Sequence, residues 1–200
     1  MDGALFVWFS WIGVIIIGFF MEPSQNNKKV IVLCLMMLCT ANVEIPLEQF
    51  KVNGALMLCW LLGYFLLMKT LHMNIAYAAL VVLMLTAAYA SIELFSIYDP
   101  VFSYLYTPWA IGLALFTIVH LTVNGPGQRC ALLILSIVQG EIILSIIYQQ
   151  MGIHTVIGRY VSLDIMAIAV MGTFVWEGFV QLTSHLENVL KKHQERRGYS

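Results

Sequence analysis

CALLILSIVQGEIILSIIY, residues 130–148, carries a single charged side chain, Glu141. A helix that crosses a hydrocarbon core of about 30 Å needs about 20 largely apolar residues, so this stretch reads as a membrane span. The remainder of the chain agrees. Of 200 residues, 60% are hydrophobic and 10% charged, with a mean hydropathy of +0.85, whereas a soluble domain carries about 25% charge. Glu187, Lys191, Lys192, Glu195, Arg196 and Arg197 all fall in the last fourteen residues, which leaves little charge for the residues before them. The net charge of -1 comes from scattered ions rather than a basic face, which argues against a nucleic-acid partner. The partner this composition demands is the lipid bilayer.

Working outward from 130–148, further apolar runs cover 4–21, 30–42, 52–68, 73–97, 101–123 and 163–182. Between them stand segments rich in turn formers or charge: EPSQNNKK at 22–29, VEIPLEQFK at 43–51, Lys69 and its neighbours, Tyr98-Asp99-Pro100, NGPGQR at 124–129, and GIHTVIGRY at 152–160. The expected architecture is therefore all-α, a polytopic bundle of about seven spans near 4–21, 28–45, 52–68, 73–97, 101–123, 130–148 and 163–182. This makes 1–186 a transmembrane domain and 187–200 a basic cytoplasmic tail. The run 30–42 reaches only about 20 Å as a helix, so it either borrows length back to Asn27 or forward to Ile45, or is a buried or re-entrant half-helix. Asp99-Pro100 and Thr107-Pro108 both have the form of a cap followed by proline at the first helical position, and the fifth helix starts at one of them.

Lysine and arginine accumulate on the cytoplasmic side of short loops. Seven spans with the C-terminus inside place Lys28, Lys29, Lys69, Arg129, Lys191, Lys192, Arg196 and Arg197 inside, and only Lys51 and Arg159 outside. Without the second run, Lys28, Lys29 and Lys51 would crowd one outer loop. The N-terminus is thus expected outside. Trp8, Trp11, Tyr98, Tyr104, Tyr106, Trp109 and Tyr160 fall at the ends assigned to the outer interface, and Trp176 toward the inner one.

Ionisable groups at membrane depth are functional-site hypotheses by default. Glu141 stands near mid-span beside Gln139 and Gly140, and no basic residue of the assigned spans lies at its depth. It is either an interhelical hydrogen-bonding group or a proton or cation site. Glu93, with Asp99, Glu44, Glu48 and Asp164, would make an acidic outer vestibule. The plainer expectation pairs Asp164 with Arg159 and Glu48 with Lys51. His120 and Glu177 approach the inner ends of their helices, as a helix-end histidine and an interfacial acid, or as a proton path leading down from Glu141. Lys191, Lys192, Arg196 and Arg197 suit contact with anionic lipid, and the stripe Leu182, Leu186, Val189 suits membrane anchoring or a protein partner.

No enzyme chemistry is indicated. The HExxH, GxSxG and GxxxxGK[ST] motifs are absent. No lysine lies between Arg129 and Lys191 to form a Schiff base, and His72, His154 and His185 lack a second ligand at helical spacing. Cys34, Cys39, Cys59 and Cys130 have no metal or redox spacing and read as small hydrophobes. Neither a metal nor another cofactor is expected.

The opening FVWFSWIGVIIIGFFM at 6–21, followed by a short polar loop, a stubby second run and a basic tail, resembles the small multi-pass YphA-like membrane proteins of Gram-positive bacteria. The resemblance implies a bacterial plasma membrane; it assigns no activity and carries over no site residue. Two classes of function remain. One is a structural or assembly protein acting through other membrane proteins or self-association. The other is a small transporter or channel with Glu141 at its centre, although the proline-glutamine signature of three-one-three sugar carriers is missing.

Overall fold

The computed structural model describes residues 2–47, 50–70, 73–99, 107–153 and 155–198, with backbone alone at 26, 98 and 189–198. Each apolar run of the sequence becomes one helix. These are α1 (Ala4–Ile15), which continues as one wider π turn over Ile16–Phe20, α2 (Gln25–Thr40), α3 (Gly54–Thr70), α4 (Ile75–Tyr98), α5 (Pro108–Thr122), α6 (Pro126–Gln150) and α7 (Tyr160–Gly198). Three stretches, Ile75–Ile97, Pro126–Gln150 and Tyr160–Asn188, are long and apolar enough to cross a membrane, and α1, α3 and α5 are shorter apolar helices.

Local chemistry sets the helix ends. The Asn74 side chain accepts from the Ala76 amide at 3.2 Å to start α4. Thr107 caps α5 by accepting from the Ala110 amide at 3.3 Å, with Pro108 in the first turn. Of the two candidate starts, α5 thus uses the second, and residues 100–106 lie outside the described residues. Helix α2 gains its length backward, to Gln25, rather than forward to Ile45, because the chain beyond Thr40 is taken by a strand.

That strand corrects the all-α expectation. Residues 43–51 are not a plain loop. Strand β1 (Glu44–Leu47) pairs antiparallel with β2 (Phe50–Asn53), Ile45 opposite Val52, and β3 (Val156–Ile157) adds parallel to β2, with Lys51 opposite Val156. β-branched residues at 45, 52, 156 and 157 favour the pleat, and Pro46, which has no amide hydrogen, sits on the edge strand where none is needed. Asn53 ties the sheet to the bundle: its amide donates to the Ala41 carbonyl at 2.7 Å and its oxygen accepts from the Ala55 amide at 2.9 Å.

Helix α6 is the axis of the fold. It packs against α3, α4, α5 and α7 and is buried on every side from Gln128 to Val138. Small residues let its neighbours come close: a β-carbon at Gly63 would press on Leu135, and one at Gly112 of α5 on Ile168 of α7. Helix α1 leans on α7 and α2, and α2 on α3. The periphery is apolar, with Trp8, Leu80, Leu83, Phe95 and Leu121 all more than 60% exposed. A lipid-facing surface is apolar in this way. The sheet closes one end of the bundle; the opposite end, the floor, holds the start of α6 and the end of α5.

Candidate functional site

At the sheet end, α4, α6 and the loop before α7 converge on Glu141. The carboxylate is 1% exposed and lies nine residues before the end of α6, about 14 Å along the axis. Tyr89 of α4 donates its hydroxyl to Oε1 at 2.6 Å. Arg159 donates Nη2 to the same oxygen at 3.0 Å and to Oε2 of Glu93 at 2.7 Å. The backbone amides of Gly158 and Arg159 point at Oε2, at 3.0 and 3.3 Å. The guanidinium also stands 5.8 Å from the ring centroid of Tyr148, within cation–π range.

Two sequence features let this cluster assemble. Gly140 has no side chain where the Tyr89 ring lies against α6; a β-carbon there would overlap the ring. Gly158 has φ +88°, the left-handed region that disfavours other residues, and a β-carbon there would also strike Leu56 and Asn53. The segment after β3 can therefore dip between α3 and α6 and deliver two amides and a guanidinium to one buried acid. Three of Glu141's four donors come from this strap.

The expectation that no base lies at the depth of Glu141 is thereby corrected. Arg159 was assigned to an outer loop, and the loop folds back into the bundle. Burial alone would lower the pKa of Arg159, which lies between β3 and α7, but Glu141 and then Glu93 more than reverse this, so the net direction is upward and the guanidinium stays charged. Among the described residues the cluster holds two acids and one base.

Of the acids expected in an outer vestibule, Glu93, Glu44 and Asp164 do not gather together among the described residues. Glu93 turns inward to Arg159, and Glu44 pairs with Lys51 at 3.3 Å, both exposed. Glu48 lies outside the described residues. Asp164, expected beside Arg159, instead accepts from the amides of Gly3 at 2.8 Å and Phe6 at 2.7 Å. It thus supplies the acid that the first turn of α1 lacks and pins α1 to α7. Gln139 is half-buried, and among the described residues no hydrogen bond joins it to Glu141.

The remaining candidates gather at the floor. Arg129 donates Nε to the Val123 carbonyl at 2.8 Å and Nη1 to Glu177 at 2.9 Å. His120 contacts the Phe116 carbonyl through Nδ1 at 2.9 Å, so Nδ1 carries the hydrogen, and its buried Nε2 has no partner among the described residues. Its ring lies against Phe116 and edge-on to Trp176, with centroids 4.1 and 6.1 Å away. Among the described residues, no hydrogen bond or ion pair joins this group to Glu141. No three His, Cys, Asp or Glu side chains converge for a metal among the described residues. His72 and His154 fall outside those residues, as do the side chains of Lys191, Lys192, Arg196 and Arg197.

Sequence reasoning missed Tyr89, Gly158 and Arg159 as site residues. The available signal was Gly158-Arg159 directly after two β-branched residues, Val156-Ile157, facing a bundle with two unmatched acids.

Comparison with known proteins places this sequence in a family. A family model described as YphA-like integral membrane protein matches residues 2–198. The uncharacterized protein YphA of Bacillus subtilis (strain 168) is 22% identical over 197 residues, which covers 96% of each chain. No solved structure matches.

Proposed function

The chain belongs to the YphA-like integral membrane protein family, and from that premise we propose that it is a seven-crossing structural or partner-binding component of the bacterial plasma membrane, N-terminus outside, C-terminus cytoplasmic. The basic residues support this orientation: Lys28, Lys29, Lys69 and Arg129 gather at the floor and the tail beyond it, and Lys51 and Arg159 at the sheet end. In this reading the sheet lies at the outer face, and the strap 156–159 is a latch that closes it.

One observation carries the reading. A carboxylate offers about four acceptor positions, and Glu141 fills them with the Tyr89 hydroxyl, two amides and the Arg159 guanidinium. A group that binds and releases protons or cations during transport needs a free position and a route to it. Glu141 is instead matched from all sides by the protein itself, as a fixed structural anion is. The reading includes no catalytic role, and its partners are other membrane proteins or further copies of the chain.

The test is Glu141→Gln, which keeps the shape but turns two donors of its own toward groups that are already donors. The expected result is a lower melting temperature in detergent and less folded protein in the membrane. Proteoliposomes of the unaltered chain should leak protons no faster than empty ones. Full accumulation of the variant, together with loss of a proton leak that the unaltered chain displays, would favour a transporter.

A further inference from the structure

Helix α7 does not end with the bundle. The floor is marked by Arg129, in the first turn of α6, reaching Glu177, and by His120, in the last turn of α5, against Trp176. From Gly178 to Asn188 every side chain is exposed, and α7 runs unbroken to Gly198. Residues 178–198 therefore extend about 30 Å past the floor. The headgroup layer on one side of a bilayer is only about 5–8 Å deep. Leu186, nine residues past Glu177, stands about 13 Å beyond it, farther than that layer is deep where the floor lies at the membrane surface.

Four of the exposed apolar residues at the floor and along this projection keep a strict spacing, with Val180 off it. Val175, Phe179, Leu182 and Leu186 are 67%, 60%, 60% and 53% exposed, with steps of four, three and four, and the sequence adds Val189 after three more. That is the a/d pattern of a coiled coil, a seam whose best complement is itself. The residues at flanking heptad positions, Thr183, His185 and Leu190, carry no fixed charge, so two copies meet there without repulsion. Lys191, Lys192, Arg196 and Arg197 all come after the seam.

We infer that the inner extensions of α7 from two copies of this chain pair as a short parallel coiled coil. The inference rests on the proposed orientation, in which the floor lies at the cytoplasmic surface. A seam this short is marginal for free peptides. The bilayer changes that: it holds both copies parallel, at one depth and at high effective concentration, so little register search remains.

The test is disulfide trapping of the full chain in membranes with a mild oxidant. Leu182→Cys and Leu186→Cys lie on the seam, Gln181→Cys and Ser184→Cys on other faces, and the unaltered chain, with its four native cysteines, sets the background. Seam positions should yield covalent dimer, the other two only background, and Leu186→Asp should convert dimers to monomers in single-molecule counting. Equal trapping at all four positions, trapping at none, or quenching of a label on Leu186→Cys by lipid-borne quencher would overturn the inference. Orientation is read separately, from whether an impermeant maleimide reaches Ser184→Cys from the cytoplasmic side only. Its failure would overturn the proposed orientation while leaving the dimer result readable.

Discussion

Two ion clusters sit at opposite ends of one bundle and use the same chemistry to different effect. At the floor, Arg129 and Glu177 come from α6 and α7, helices that pack together in any case; their side chains are 11% and 23% exposed. At the sheet end, Glu141 is 1% exposed and its base arrives from a loop that must fold back to reach it. The floor pair fastens helices already in place. The sheet-end cluster determines where a loop goes, because an acid buried this deeply without its donors is far more costly than one near water. Burial and chain origin, rather than the kinds of residue, separate a fastening from a latch.

The comparison can be broken most sharply at Arg159. Arg159→Ala leaves Glu141 and Glu93 buried without their cation, and removing one member of a buried pair costs about 3–5 kcal/mol. A large drop in melting temperature is expected, together with faster proteolysis at 151–159. Tyr89→Phe removes one hydrogen bond to a charged group, worth about 1.5–3 kcal/mol, and leaves the strap attached. A smaller melting shift with unchanged proteolysis would separate the hydroxyl from the latch. The least effect is expected at the floor, where Glu177→Gln should cost about 1 kcal/mol, read in the same melting assay. Should Glu177→Gln prove as damaging as Arg159→Ala, the distinction between the two ends would fail.

The helices were legible because lipid enforces long apolar runs, and the breaks between runs stand out against them. Thus α4, expected at 73–97, forms at Ile75–Tyr98, and α6, expected at 130–148, spans Pro126–Gln150. The acids Glu141 and Glu93 were legible for the same reason, since a charge in an apolar run is conspicuous. Their base was not. Arg159 lies in a polar segment, where an arginine is unremarkable, and eighteen residues from Glu141. Only the left-handed turn at Gly158 and the pairing of β3 with β2 bring it inward. The hairpin was hidden for a similar reason: Pro46 reads as a turn former, yet on an edge strand it displaces no hydrogen bond. Asp164 was misjudged because its partners are backbone amides of α1, and amides leave no mark in a sequence.

The most direct measurement is a double-mutant cycle between Arg159→Ala and Glu141→Gln, read as unfolding free energy of the full chain in detergent. If the strap is latched through this pair, removing either partner forfeits most of what both supply, and the double variant should be more stable than the summed losses imply by about 1.5–3 kcal/mol. Losses that add to within about 0.5 kcal/mol would contradict the latch, and with it the case that Glu141 is a fixed structural anion.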